Sequence, residues 1–177
     1  MILQKGRPEN TSGREEKEIK VYDLLDTLGI EYYRVDHAPA MSIEDCVEID
    51  KTLGAIMCKN LFLCNRNRSS FYLLMMSGEK MLVTRELSDK LGSSRLHFGK
   101  AEDMERLLDL VPGSVSVTGL MNDKDNKVRL LIDSTLLDAD FIGIHPSVNT
   151  SSLRISIKDL TEKIIPALGH EPWILEI

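Results

Sequence analysis

A chain of 177 residues and 20.0 kDa, 42% of it hydrophobic, can bury one core and falls within the size of a single domain. Its apolar runs, such as Leu61–Leu63 and Phe71–Met76, fall far short of the roughly 20 residues a membrane span needs. A formal charge of −6 argues against a protein that wraps a long duplex, since phosphate contacts require clustered Lys and Arg.

Residues 1–14 lack the apolar core of a signal peptide, and their Gly, Pro, Asn, Ser and charged residues read as a mobile arm. The remainder, 15–177, reads as one domain, expected in the cytoplasm. From Glu15 to Leu28, Ile19, Tyr22, Leu25 and Leu28 recur every third position and Gly29 follows, which predicts a helix with one buried stripe. Tyr32 to Asp36 predicts a short strand broken by His37-Ala38-Pro39. Ser42 then serves as the cap of a second helix, with Asp45 three residues on and an end near Ile49.

Lys59–Asn65 and Phe71–Ser77 are apolar runs joined by a polar turn, the pattern of a buried hairpin. A further strand is expected at Met81–Val83, a helix capped by Thr84 and stopped by Gly92, an extended piece at Arg95–Phe98 and a helix at Ala101–Leu108. Strands are expected at Ser114–Thr118, Val128–Asp133, Phe141–Ile144 and Leu153–Ser156, with a turn at Asn122–Asn126 between the first two. Ile157–Leu168 reads as a helix distorted near Pro166, and Pro172–Leu175 as an edge strand. Short helices among strand pairs, without regular alternation, indicate an α/β class built on a mixed sheet with surrounding helices.

Cys46, Cys58 and Cys64 form no Cys-x-x-Cys pair, and His37, His97, His145 and His170 show no ligand spacing, so reduced thiols and neither metal nor cofactor are expected. Glycine-rich phosphate loops and Gly-x-Ser-x-Gly are absent from the sequence. Charge is uneven: Lys51 to Lys100 holds nine basic residues against three acidic ones, either a chance excess on a solvated face or a basic surface for a short stretch of nucleic-acid backbone. Three polar-ended features remain: Lys59-Asn60 at a strand start, the loop Pro112-Gly113-Ser114-Val115-Ser116, and His145-Pro146-Ser147-Val148-Asn149-Thr150 after a strand. Singly, each reads as a solvated strand end, a tight turn or a strand terminator; together they can converge on one pocket.

The succession His37-Ala38-Pro39 with Ser42, Cys58-Lys59-Asn60-Leu61-Phe62-Leu63, Pro112-Gly113-Ser114-Val115 with Gly119-Leu120 and Asn122-Asp123, then His145-Pro146 with Asn149-Thr150, resembles the bacterial prolyl-tRNA editing proteins. These form the family of YbaK and the prolyl-tRNA-synthetase-associated editing domain, and the resemblance runs from about Lys20 to Trp173. It implies a compact α/β fold and hydrolysis of the ester joining a wrong amino acid, alanine first and serine or cysteine next, to the terminal adenosine of the tRNA for proline. The implied partners are the tRNA acceptor end and prolyl-tRNA synthetase.

By motif match Lys59 and Asn60 correspond to the family's Lys-Asn pair, His145 to its functional histidine, and Gly113 to the start of a Gly-x-x-x-Pro loop in which Val117 replaces the proline. The hypothesis that follows makes Lys59 a phosphate or ribose contact and Asn60 an orienting group. The Gly113 and Ser114 N–H groups become oxyanion donors, and His145 positions the ribose hydroxyls or the water, with a ribose hydroxyl as the alternative base. Val115, Val117, Pro146 and Asn149 complete the expected substrate-binding set. Two other readings stand beside it: a thiol hydrolase using Cys58 or Cys64 with His145, and a non-catalytic module that binds the acceptor end or a synthetase.

Overall fold

The computed structural model describes residues 1–39, 43–55 and 57–177, with 43–45 described by backbone alone. Strand β1 (Leu3–Lys5) pairs antiparallel with β2 (Tyr33–Asp36), in the register Leu3↔Val35 to Lys5↔Tyr33. Residues 1–14 therefore do not behave as the expected arm. Arg7 reaches Asp23 (2.8 Å) and Asp26 (3.2 Å), and Arg14 reaches Glu18 (2.5 Å) and Asp36 (2.7 Å), so partners distant in sequence dock a segment whose own composition is polar. Between these strands α1 (Glu16–Thr27) buries Val21, Tyr22 and Leu25, the expected stripe, and closes at Gly29 with a φ of +63°.

Helix α2 (Ile43–Leu53) packs on β2; its expected cap, Ser42, lies outside the described residues. Strands β3 (Lys59–Cys64) and β4 (Phe71–Met76) form the expected hairpin, registered from Lys59↔Met76 to Cys64↔Phe71. Met81–Val83 is not a strand. Both edges of β4 are occupied, by β3 and β6 (Val128–Asp133), so the segment has no neighbouring edge and leads straight into α3 (Thr84–Leu91). Thr84 is inside that helix rather than capping it, and Gly92 stops it in the left-handed region as expected. Next come β5 (His97–Phe98) and α4 (Ala101–Leu108).

The strand expected at Ser114–Thr118 is replaced by a turn and a 3₁₀ helix, Val117–Asn122. Alternating hydroxyl and apolar residues imitate a strand there. The hydroxyls instead bond local backbone: Ser114 Oγ donates to the Val111 carbonyl (3.0 Å), and Ser116 Oγ accepts from Thr118 N (3.4 Å). A second 3₁₀ helix, Ser134–Asp138, leads from β6 to β7 (Phe141–Ile144), which is followed by β8 (Ser151–Ser156). Helix α5 (Ile157–Asp159), a π turn (Leu160–Ile164) and α6 (Ile165–Ala167) run on as one, and the distortion expected from Pro166 falls a turn before it. Strand β9 (Trp173–Leu175) ends the order, on the sheet edge as expected.

The strands form the expected mixed sheet and, beside it, a second sheet. One is antiparallel, in the order β1-β2-β8-β7; the other, β5-β3-β4-β6-β9, is mixed, with β4/β6 and β6/β9 parallel. The main core, including Tyr32, Phe62, Leu73, Ile142 and Leu153, draws on both sheets, α1 and α4. On the other face of the mixed sheet, Leu63, Tyr72, Leu74 and Leu131 pack with Leu87 and Leu96. Central β4 is thus covered on both faces, which is why Phe71–Met76 is apolar without alternation.

Candidate functional site

Strand ends of the antiparallel sheet create the site. His37 follows β2, His145 follows β7, and Ser152 lies on β8 between those two strands. With Asn149 of the β7–β8 loop, Gly113 of the loop after α4, Cys46 and Ile49 of α2, and Met57, they line a cavity of about 140 Å³. Both imidazoles are hydrogen-bonded through Nδ1 to a backbone carbonyl. His37 Nδ1 lies 2.8 Å from the Ala38 carbonyl, which only accepts, so Nδ1 carries a proton, and Nε2 lies 2.9 Å from Ser152 Oγ. His145 Nδ1 likewise donates to the Ser151 carbonyl (3.1 Å), and its Nε2 has no hydrogen-bond partner among the described residues.

Burial pushes the His145 pKa below its ordinary 6.5; the Ser151 carbonyl works the other way, and the nearby His37 adds to the depression. At neutral pH His145 is therefore uncharged, its Nε2 lone pair ready to accept a proton or a hydrogen bond.

A cluster of buried hydroxyls fixes this histidine from behind. Ser116 Oγ (2.5 Å) and Thr118 Oγ1 (3.0 Å) both donate to the His145 carbonyl, and Thr118 Oγ1 also pairs with Ser147 Oγ (2.9 Å). Ser147, wholly buried, holds a φ of +63°, a conformation that costs a non-glycine residue of order 1 kcal/mol and persists where neighbours over-determine it. Gly113 has a φ of +92°, and a Cβ there would meet Asn149 Nδ2 at an ordinary 3.6 Å, so backbone conformation rather than space favours glycine. The Gly113 N–H has no acceptor among the described residues.

A second hollow, about 500 Å³, lies on the other side of Met57, which lines both. Cys58, Ser77, Lys80, Thr135 and Phe141 are among its walls. Lys59 stands beside it: its ammonium donates to the Lys80 carbonyl (2.8 Å), while Lys80 itself is held by Asp133 (2.8 Å) and the Ile177 carbonyl (2.8 Å). Asn60 donates to the Cys58 carbonyl (3.2 Å), and its Oδ1 is buried without a partner among the described residues.

Comparison with known proteins decides the family. The family model of the aminoacyl-tRNA editing domain matches residues 37–163, a span that holds both histidines, Gly113 and the Lys59-Asn60 pair. The chain belongs to the aminoacyl-tRNA editing domain family. A curated relative, the prolyl-tRNA editing protein ProX of Acetoanaerobium sticklandii, is 32% identical over 153 residues, covering 86% of this chain and 93% of that protein. The prolyl-tRNA synthetase associated domain-containing protein 1 of Mus musculus is 26% identical over 155 residues, covering 85% and 90% of the two chains. A crystal structure of a proposed trans-editing enzyme for prolyl tRNA synthetase shares the fold, with a TM-score of 0.67 at 16% identity over 92% of this chain and 98% of the other.

As an editing domain the chain is an aminoacyl-tRNA deacylase, an ester hydrolase. Of the residues expected at its site, Gly113, His145 and Asn149 line one cavity, whereas neither Lys59 nor Asn60 lines it. Ser114 departs from its expected role: its N–H donates to the Val111 carbonyl (3.0 Å), so the turn consumes the hydrogen that was to face an oxyanion. Val117 is wholly buried in the main core, Val115 packs against that core, and Pro146 is buried; none of these lines the cavity.

The cavity is also lined by residues that were not among those expected at the site: His37, Ser152, Cys46, Ile49 and Met57. A usable signal existed for His37, whose His-Ala-Pro string marks a strand end as His145-Pro146 does. Neither cysteine of the thiol reading reaches the histidine cavity. Burial, with Asp50 nearby, pushes the Cys58 thiol up to about 12, and burial raises Cys64 as well, so both are thiols rather than nucleophilic thiolates at neutral pH.

Proposed function

We propose that the editing domain acts in trans on the tRNA for proline, removing alanine attached by mistake, and that the cavity of about 140 Å³ between His37 and His145 is its sieve for the amino acid. The size and polar lip of that cavity carry this reading. A synthetase pocket shaped for proline excludes a smaller residue poorly, because each missing methylene is worth only about 1–3 kcal/mol; a second, smaller cavity rejects proline on steric grounds instead.

The ester is already activated, so the protein needs to orient it, stabilise the oxyanion and deliver water. His145 Nε2 accepts a hydrogen bond from the attacking water or a ribose hydroxyl, and the Gly113 N–H faces the developing oxyanion with Asn149 beside it. The larger hollow beyond Met57 takes the terminal nucleoside, where Lys59 releases the Lys80 carbonyl to meet phosphate and Asn60 supplies an orienting bond. Such a protein works in the cytoplasm, on tRNA released by prolyl-tRNA synthetase.

The test is to incubate the protein and its His145→Ala and Lys59→Ala variants with proline tRNA carrying alanine, serine, cysteine or proline, and to follow ester loss. Alanine should be released fastest and proline no faster than in buffer. If no noncognate ester turns over faster than in buffer, the reading fails.

A further inference from the structure

The outer face of the antiparallel sheet carries a row of cations and rings that the deacylation chemistry does not use. Register places Lys5 opposite Tyr33 and Tyr33 opposite Arg154, across β1, β2 and β8. The Lys5 ammonium, ion-paired with Glu31 (2.6 Å), lies 6.0 Å from the Tyr33 ring centroid, and the Arg154 guanidinium carbon lies 4.4 Å from the Tyr33 centroid and 5.5 Å from that of Phe141. Arg154 Nη1 donates to the Leu53 carbonyl (3.0 Å). It has no carboxylate partner among the described side chains, and its buried Nε has no acceptor among them. Phe141 is 52% exposed although large and apolar, and it forms part of the wall of the larger hollow.

A guanidinium without a carboxylate partner, flanked by two partly exposed aromatic rings on a sheet face that α2 covers in part, is chemistry that holds single-stranded nucleic acid: ring and guanidinium planes stack on bases, and cations meet phosphates. We propose that Tyr33, Arg154 and Phe141 form a stacking track for the unpaired nucleotides that precede the 3′ terminal nucleoside of the tRNA. The track leads to the hollow at Phe141, and Met57 then joins that hollow to the histidine cavity, so base, ribose and amino acid would lie along one continuous path. This rests on the reading of the chain as a tRNA deacylase, and it adds where the strand lies.

The experiment uses the full chain and a fluorescent, uncharged RNA trinucleotide of sequence CCA, read by anisotropy, with a blunt RNA duplex as the comparison. Wild type should bind the single strand in preference to the duplex, and Tyr33→Leu and Phe141→Leu should each weaken single-strand binding about tenfold, the worth of one lost stack. Both variants keep an apolar side chain at a partly exposed position, and a thermal melt verifies their fold. Equal binding by wild type and both folded variants, or no preference for the single strand, overturns the track. A second arm separates this failure from failure of the deacylase reading. Tyr33→Leu should lower the ratio of kcat/KM for alanyl-tRNA to that for an alanyl ester of adenosine about tenfold. An unchanged ratio sinks the track while leaving deacylation intact, whereas loss of both esters' hydrolysis in wild type sinks the deacylase reading and leaves the binding result to decide the track.

Discussion

The rings of His37 and His145 stand 6.5 Å apart, centroid to centroid, with their planes inclined by 58°, across the mouth of the small cavity. Burial disfavours the charged form of His145 and the nearby His37 adds to that, so its folded-state pKa lies below 6.5. Between that depressed value and 6.5 the unfolded chain binds more protons than the folded one, so stability rises with pH through this window and is lost as pH falls through it. The stabilising contribution is fully present above 6.5. Melting temperature against pH should therefore drop more steeply below pH 6.5 in wild type than in His145→Asn. Deacylation should hold steady above pH 6.5 and decline below it as Nε2 takes a proton. Parallel melting curves for the two proteins would contradict the assignment.

The His145 carbonyl receives two hydroxyls, so either alone should largely keep it. Ser116→Ala or Thr118→Val should each cost about 1 kcal/mol, and the double variant more than their sum, because only then is a buried carbonyl left unsatisfied. Urea denaturation gives the energies. Turnover in the double variant should fall about tenfold further than in either single one, since a small displacement of the acceptor nitrogen is enough to spoil orientation.

Val117 stands where the family pattern has proline, and the backbone already suits that residue. Position 117 opens a 3₁₀ helix, its N–H has no acceptor among the described residues, and the preceding Ser116 is extended at φ −151°, ψ 152°, as a residue before proline must be. Val117→Pro should change stability by less than about 1 kcal/mol, the entropy gained from a stiffer unfolded chain offsetting lost packing. Chemical denaturation measures the difference, and a loss of several kcal/mol would show that the loop differs from the one described.

Asp133, with no exposed surface, is held by Lys80 (2.8 Å) and the Thr135 hydroxyl (2.8 Å). Burial opposes its charge, but these bonds outweigh it and keep the carboxyl below 3.8. Its contribution is present above that ordinary value and is lost as pH falls through the folded one. Asp133→Asn should destabilise by about 2 kcal/mol, less than a fully buried pair because Lys80 is partly solvated. It should also blunt the acid limb of the stability profile below pH 4, as read by circular dichroism.

Cys58→Ala and Cys64→Ala should each keep deacylation within about twofold while lowering stability by about 1 kcal/mol, as loss of a small apolar filler does. Abolished turnover in a folded Cys58→Ala protein would restore the thiol mechanism.

What was legible in the sequence follows the range of the interactions involved. The α1 stripe, the β3–β4 hairpin and α4 depend on local periodicity, and each stands where its spacing puts it. Gly113, His145 and Asn149 carry the turn chemistry of strand and helix ends, which sequence displays. His37 reads as a strand break and as part of the family string but not as a cavity wall, because its place there depends on Ser152, 115 residues away. The Ser114–Thr118 segment misleads in the opposite direction: hydroxyls that alternate like a strand are spent on the backbone and on His145. The docking of β1 was hidden for the same reason as the role of His37, since its partner is fixed by three-dimensional pairing and not by its own composition.

Met57 is a partition that two rooms share, and it is made of an unbranched chain with three rotatable bonds. On the proposed reading of the small cavity as the sieve, selectivity would rest less on a rigid template than on the rotamer of one thioether, which a β-branched residue at position 57 would freeze. How sharply the protein sorts amino acids by size should then change on Met57→Val or Met57→Ile, as read from the ratio of alanine to proline ester loss.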